Sequence, residues 1–456
     1  MLPAVDRTVH GRRVVVVGLG ASGTAAARLC AQSGAAEVTV NDRRDVTQVD
    51  LARYPDLSAL GVRFLFGDHS EDNFTGADLV VVSPGVAPLP VFDVLEARGV
   101  PVVSEVELAS WMCEAPLVAI TGTNGKSTVT TLVGEVLRHA GYETFVGGNL
   151  GHPLSEAVGT AASRLGGRLV VELSSYQLER VKTFRPHVAT WLNLTPDHLD
   201  RYPSMAAYGA AKARVFLNQT RDDRALAPAG DPVVLAYARG GAAPVSTWGG
   251  EQSPVRIVGD SIVGPDGLSV PLDALKIRGA HNVDNAMAAA LTALTAGAPA
   301  ASVDAVLRSF SGLPHRMQLV VEHRGVTYVD DSKATNVGAA VKALEGVDRQ
   351  VVLIAGGRDK GGSYEPLAQL LRVKARGVVL MGEAADKIDR ALGSSVTKER
   401  ADDMVDAVWR ASRMAREGDC VLLAPACSSL DMYTDYAERG RAFAEAALSL
   451  AARGGS

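Results

Sequence analysis

The residues best placed to do chemistry lie in VAITGTNGKSTVTTLVGEVL, where Gly122, Thr123, Asn124, Gly125, Lys126, Ser127 and Thr128 join an apolar run to helical sequence. A strand that breaks into a Gly-rich turn and reopens as a helix can cradle the phosphates of a nucleoside triphosphate. Glycines let backbone N–H groups approach phosphate, the helix N-terminus adds partial positive charge, Lys126 neutralises the β/γ oxygens, and a hydroxyl of Ser127 or Thr128 can reach Mg2+. The general phosphate loop has four residues between its first glycine and the Gly-Lys pair, whereas this loop has two. A plain surface turn is the alternative, disfavoured by the strand before the loop and the helix after it.

Glu172 ends the run RLVVELSS, Asp197 and His198 lie in TPDHLDRY, and Lys212 sits among alanines in SMAAYGAAKARVFLNQ. Alone, each reads as a solvated turn or helix residue, and the Lys212 position would accept another alanine without a helix-propensity cost. Beside a phosphate loop they gain meaning, because Mg2+ held between phosphates and protein needs one or two hard oxygen ligands, and Glu172 can supply one. A second glycine pattern, Gly18-x-Gly20-x-x-Gly23, precedes Asp42, which stands where dinucleotide-binding folds place a ribose-binding acid. That turn indicates a phosphate-containing ligand without naming NAD, and a ligand-free tight turn remains open.

Positioning these residues requires parallel strands that alternate with helices. Val14 to Val17 read as a buried strand, Thr24 to Gln32 as its helix, Glu37 to Asn41 as a second strand and DLVVVSPG as a third. In the middle of the chain RLVVELSS and HVATWLNL read as strands, and SMAAYGAAKARVFLNQ and HNVDNAMAAALTALTAG as helices. Residues 225–275 read as small antiparallel strands. VTYVDD, RQVVLIAGG, GVVLMG and CVLLAPA, each followed by helical sequence, give a further α/β segment ending in a frayed RGGS tail. The fold expected is α/β in three domains: Rossmann-like over 1–107, a central parallel sheet with a small β portion over 108–312, and doubly wound α/β over 313–456.

Composition narrows the function classes. At 456 residues the chain is too long for one core, and 47% hydrophobic with 21% charged residues is ordinary for a globular protein. A net charge of -5 argues against a dedicated nucleic-acid partner, which would need a basic face. The four cysteines, Cys30, Cys113, Cys420 and Cys427, show no metal-ligand or redox spacing and suit reduced, buried thiols. No apolar run reaches the length of a membrane span, and MLPAVDRTVH lacks the apolar core of a signal peptide, so a cytoplasmic location and no membrane insertion are expected.

GTNGKST, GGNLG, ELSSYQLE, NLTPDHLDRY, the AAK helix, HNVDN, GLPHR, DDSKATN, AGGRDKG and PACSSLDMYTDYAERG occur in this order over nearly the whole chain. Together they resemble the ATP-dependent amino-acid ligases that build peptidoglycan precursors. The phosphate-loop motif is shared with folylpolyglutamate synthase and fixes only the reaction type. DDSKATN is the selective signal, since it resembles the D-glutamate-adding members rather than those adding alanine, diamino acids or dipeptides.

The resemblance implies that domain one binds the UDP part of a precursor, domain two ATP and domain three the incoming amino acid. On this basis Ala21 and Ser22 contact the diphosphate, Asp42 and Arg43 the uracil side, and Gly85 the nucleotide. Asn149, Ser174, Gln177 and His198 hold the muramoyl-alanine part. Gly122 to Thr128 form the ATP loop, with Lys126 on the β/γ-phosphates, Asn282 and Asn285 near adenine, Arg316 on the γ-phosphate, and Asp331 and Lys333 near ATP. Two Mg2+ ions are implied, one on Ser127 and Glu172 and a second on His198, with Lys212 carrying a carbamate as an anionic oxygen donor. Thr335, Lys360, Ser429 and Tyr436 match the groups that hold D-glutamate. The catalytic set is then Lys126, His198, Lys212 and Arg316. The substrates are UDP-N-acetylmuramoyl-L-alanine, D-glutamate and ATP, and a monomer is expected.

A carboxylate becomes an acyl donor once phosphorylated, so the implied reaction runs through an acyl phosphate and releases ADP and phosphate. The rivals are another amino-acid ligase on the same scaffold, a nicotinamide oxidoreductase using the first domain, and a non-catalytic nucleotide switch. Motifs past residue 313 disfavour the oxidoreductase, and the gathered metal-type and ammonium groups disfavour the switch.

Overall fold

The computed structural model describes residues 7–199, 201–277 and 279–453; the first six residues of the N-terminal segment and the end of the RGGS tail lie outside them. The chain forms two compact units, one of Met1–Leu194, Gly209–Ala274 and Asp284–Ser309, the other of Thr195–Tyr208, Leu275–Val283 and Phe310–Ser456.

The first unit holds a five-stranded parallel sheet in the order Arg63–Phe66, Glu37–Asp42, Arg13–Val17, Leu79–Val82, Val102–Ser104. The strand order reverses beside Arg13–Val17, which opens a crevice at the Gly18 turn. The helix there begins at Ala21, a turn earlier than Thr24. Two edge strands, Arg63–Phe66 and Val102–Ser104, had no clear sequence signal because each is only three or four residues long.

A second, six-stranded parallel sheet runs Val245–Trp248, Arg224–Pro228, Val188–Trp191, Leu117–Thr121, Arg168–Glu172, Thr144–Gly148. Leu117–Thr121 and Val188–Trp191 are buried throughout, as expected of strands covered on both faces. Residues 225–275 depart from the expected small β portion. Arg224–Pro228 and Val245–Trp248 extend the parallel sheet, and Pro232–Arg239 is a helix whose N-cap Asp231 accepts from the amides of Val233 and Val234. Only Arg256–Val258, Ser261–Val263 and Ser269–Pro271 form the antiparallel piece. The alanine-rich helix is also shorter than read, spanning Met205–Ala213 before a 3-10 turn over Arg214–Phe216.

Glu107 ties this unit together. Buried at the end of the first sheet, its carboxylate accepts from the amides of Lys182 at 3.0 Å, Thr183 at 2.7 Å and Phe184 at 2.7 Å, and from the Trp111 indole at 2.9 Å. The second unit carries a six-stranded sheet ordered Gln318–His323, Val326–Asp330, Cys420–Leu423, Val351–Gly356, Ala375–Met381, Lys398–Arg400. It is parallel except for the edge strand Gln318–His323, which forms an antiparallel hairpin with Val326–Asp330. Among the described residues no helix is long and apolar enough to cross a membrane. All four cysteines are free thiols.

Candidate functional site

The phosphate loop follows strand Leu117–Thr121 where the central sheet's order reverses. Gly125, the N-cap of helix Lys126–His139, has φ +83°, and a Cβ there would lie 2.3 Å from Asn285 Oδ1, so only glycine fits. The helix has no acidic residue in its first turn and no side-chain cap, which leaves its N-terminal field available to an anion. Lys126 Nζ donates to the carbonyls of Gly122 at 3.0 Å and Thr123 at 2.9 Å. Lys212, 1% exposed, donates to the same Gly122 carbonyl at 2.8 Å. The solvated-lysine alternative is therefore overturned: an alanine-rich helix turns this lysine inward onto the loop. Asn285 packs on Gly125, and Asn282 is likewise buried, with Asn285 in the first unit and Asn282 in the second.

Asn193 holds the loop from the side. Its Oδ1 accepts from the amides of Thr123 at 3.1 Å and Asn124 at 2.9 Å, and its Nδ2 donates to the Asn124 carbonyl at 3.1 Å. Glu172, 1% exposed, lies at the end of the neighbouring strand and accepts from Asn149 Nδ2 at 2.7 Å. The Asn149 amide donates to the Glu172 carbonyl at 2.8 Å, so GGNLG is seated against this carboxylate.

These residues suit Mg2+ accompanied by a polyphosphate. Ser127 and Thr128 are buried at the start of the helix, and among the described residues Thr128 Oγ1 has no hydrogen-bond partner. Among the described residues no group of three or more His, Cys, Asp or Glu could hold a metal ion alone. A single carboxylate with hydroxyls and substrate oxygens is the usual Mg2+ arrangement in nucleotide sites.

At the first sheet, a Cβ on Gly23 would stand 1.8 Å from the Gly18 carbonyl, and Gly18 has φ +94°, so the turn demands glycine at both. Ala21 and Ser22 open helix Ala21–Gln32, which has neither side-chain cap nor acidic first turn, and Gly85 faces open space. Asp42 accepts from the Leu19 amide at 2.6 Å and from Arg44 Nε at 2.8 Å. Burial raises its pKa, but Arg44 and the two amides of Leu19 and Arg44 outweigh burial and hold it down at about 2. Arg43, which the resemblance places with Asp42 on the uracil side, is exposed; the neighbouring Arg44, also exposed, pairs with the Asp42 carboxylate. Ser174 and Gln177 form a reciprocal capping box at helix Ser175–Leu178, with Ser174 Oγ accepting from the Gln177 amide and Gln177 Oε1 from the Ser174 amide.

In the second unit, Asp197 gathers three groups. Lys360 Nζ lies 3.5 Å from its Oδ1, His198 Nε2 lies 3.5 Å from its Oδ2, and Asn336 Nδ2 donates to that Oδ2 at 3.0 Å. His198, at φ +55°, and His315, at φ +60°, occupy the left-handed region that side chains disfavour, a strain common at functional sites. Lys333 Nζ donates to the Tyr436 hydroxyl at 3.0 Å and sits 4.1 Å from its ring centroid, so these two expected contacts, one near ATP and one near the amino acid, touch each other. Asp331 is buried; burial pushes its pKa up to about 6 against the opposing Arg316 charge. Arg316 Nε is itself buried and has no hydrogen-bond partner among the described residues, a donor suited to an anion. Thr335 lies beside Lys333, its amide donating to the Lys333 carbonyl, and Ser429 is buried on the loop after Cys420–Leu423.

Sequence reading missed Asn193, Arg44, Asn336 and Arg439. Arg439, 2% exposed, donates to the Ser332 carbonyl at 2.8 Å and to the Cys427 carbonyl at 3.2 Å, joining the DDSKATN and PACSSLD loops; burial lowers its pKa to about 10. The signal available for it was an arginine in the otherwise amphipathic segment YAERG.

Three family models match successive segments of the chain. Residues 12–104 match the Mur ligase MurD-like N-terminal domain, 120–293 the Mur ligase middle domain, and 315–427 the Mur ligase glutamate ligase domain. A protein of Geotalea daltonii named UDP-N-acetylmuramoylalanine--D-glutamate ligase is 44% identical, over 97% of this chain and 98% of its own length. One of the same name from Anaeromyxobacter dehalogenans is 47% identical, over 95% of this chain and 97% of its own. Among solved structures, MurF ligase of Thermotoga maritima, crystallised with ADP, aligns with TM-score 0.62 and 17% identity over 98% of this chain and 99% of its own. MurC of the same organism aligns at 0.61 and 22% over 96% and 100%. The solved structures share the fold, and the sequence relatives extend that likeness over nearly their full length: the chain belongs to the Mur ligase family.

Proposed function

We propose that this chain adds D-glutamate to UDP-N-acetylmuramoyl-L-alanine, using ATP, in cytoplasmic peptidoglycan-precursor synthesis. The observation that carries the reading is the near full-length identity to relatives named for this reaction, and the Gly122–Thr128 loop supplies the chemistry it needs. In this reading a precursor carboxylate oxygen attacks the γ-phosphorus, breaking its bond to the β–γ bridging oxygen, so that ADP departs and an acyl phosphate forms. The D-glutamate amine then adds to the acyl carbon, loses a proton, and expels inorganic phosphate.

Lys126 offsets charge on the transferring phosphoryl group, and the helix that it begins orients the phosphates. Arg316, with its unused Nε, binds a phosphate oxygen. Mg2+, held with Ser127 and Glu172 and at a second position with His198, supplies charge neutralisation when bound. Lys212 serves as a carbamate. Its buried position suits a modification that replaces an ammonium with an anion. Asn149, Ser174, Gln177 and His198 orient the muramoyl-alanine part, and Ala21, Ser22, Asp42, Arg43 and Gly85 line the UDP side. Asn282, Asn285, Asp331 and Lys333 are assigned to ATP, and Thr335, Lys360, Ser429 and Tyr436 to D-glutamate. These roles follow a three-domain division at 1–107, 108–312 and 313–456, in a monomer.

The test is to incubate the protein with ATP, Mg2+ and the UDP-linked precursor together with single amino acids of either hand. Phosphate release dependent on D-glutamate supports the reading. Release driven equally by another amino acid, or by none, contradicts it.

A further inference from the structure

The parallel strands that carry the phosphate loop at one end carry a cavity of about 510 Å3 at the other. Arg168 opens strand Arg168–Glu172, Arg224 opens Arg224–Pro228, and His187 immediately precedes Val188–Trp191; all three line the cavity with Asp222, and Val118 and Val188 add apolar surface. From Val118 to Gly122 the chain rises roughly 13 Å at about 3.3 Å per residue, which separates this cavity from the phosphate loop along the same strand. Its volume is in the range that takes small-molecule ligands.

Charge sets the kind of ligand. The Arg168 guanidinium is fixed by neutral partners: Nε donates to the Ala296 carbonyl at 3.2 Å, Nη1 to the Gly167 carbonyl at 2.8 Å, and the group lies 4.0 Å from the Tyr142 ring centroid. The bond to Ala296 also offsets the negative end of helix Ala280–Thr295, which would otherwise repel an anion. Arg224 donates to the Asp223 carbonyl at 2.8 Å and to the Arg221 carbonyl. The nearby Asp223 carboxylate is already held by Arg185 at 2.7 Å and by the Thr220 amide at 2.7 Å, so it does not neutralise the cavity. Two guanidiniums therefore face the single lining carboxylate of Asp222.

We propose that this cavity binds a small organic anion, a carboxylate or phosphate ester on an apolar body, with Arg168 and Arg224 on the charge and Val118 and Val188 against the body. His187 is the natural reporter. Partial burial lowers its pKa; Asp223 opposes this, and Arg185 and Arg168 add to it. An anion seated beside it would raise that pKa.

The experiment follows the His187 ring by NMR in the full chain titrated with benzoate, phenyl phosphate and, as the neutral counterpart, benzyl alcohol. A saturable His187 shift with benzoate or phenyl phosphate and not with benzyl alcohol is expected, the tighter of the two identifying the anionic group. His187 should titrate at higher pH in the complex. Affinity should fall about tenfold or more in R224Q and in R168Q, as for loss of a charged hydrogen bond, with ATP binding unchanged as the check on folding. R224Q, at an exposed position, keeps the test decisive should R168Q fail to fold. The proposal is overturned by a His187 that stays unmoved with both anions at about 10 mM, by an equal shift with benzyl alcohol, or by unchanged affinity in R224Q.

Discussion

Lys126 and Lys212, 86 positions apart in the sequence, donate to one and the same acceptor, the carbonyl oxygen of Gly122. One lysine belongs to the helix that the phosphate loop opens and the other to an alanine-rich helix, so a single carbonyl fixes the second helix to the nucleotide cradle. Two ammonium groups converging on one oxygen repel each other. Polyphosphate near Lys126 or conversion of Lys212 to an anionic carbamate would relieve that repulsion.

Lys212→Ala is accordingly expected to cost both stability and turnover. Vacating a side chain this well buried should lower stability by about 2–4 kcal/mol, measured by denaturant unfolding. Turnover should fall by about a hundredfold or more, with partial recovery on adding a short carboxylic acid that fits the vacated space. Near-normal turnover would show that the lysine only packs.

Asn193→Ala removes the acceptor for two loop amides. Each lost buried hydrogen bond costs about 1–3 kcal/mol, so the KM for ATP should rise about tenfold or more, while that for D-glutamate changes less. Steady-state kinetics with each substrate varied in turn checks this.

Much of this architecture was legible in the chain. The turns at Gly18 and Gly125 each require glycine for a stated geometric reason, and the unbroken apolar run of Leu117–Thr121 reads as a buried strand. Residues 225–275 misled because their Gly and Pro content suggested turns, although Asp231-Pro232 is a helix-start signal that predicts Pro232–Arg239. Asn193 was invisible because its partners lie about 70 residues away, and no local pattern encodes such a contact. The burial of Lys212 was hidden for the complementary reason: alanines on every side say that a helix forms and not which face turns inward.

Glu105 provides a pH test. It is fully buried, accepts from the Ser155 amide at 2.5 Å, and leaves Oε2 without a partner among the described residues; burial pushes its pKa up to about 7, with the Ser155 hydrogen bonds opposing and Glu156 adding to the rise. Because the folded state holds the proton more tightly than the unfolded chain, this group's contribution is fully present below about pH 4.3 and is lost as pH rises through about 7. Glu105→Gln should match wild type near pH 4 and exceed it above pH 7 by up to about 3 kcal/mol, read from unfolding curves across pH. Parallel curves for the two proteins would contradict the assignment.

Lys360, paired with Asp197 at 3.5 Å, is assigned to a carboxylate of the incoming amino acid. Lys360→Ala should raise the KM for D-glutamate about tenfold or more, as for a lost charged hydrogen bond, and that for ATP much less. Equal increases would place the lysine elsewhere in the reaction.

The central claim is that the precursor carboxylate is phosphorylated before the amine attacks. The direct measurement uses UDP-N-acetylmuramoyl-L-alanine with 18O in its alanyl carboxylate and follows the label during D-glutamate addition. Transfer of one labelled oxygen to inorganic phosphate in each turnover, with ADP as the nucleotide product, is the predicted result. Unlabelled phosphate, or AMP with pyrophosphate, would contradict it.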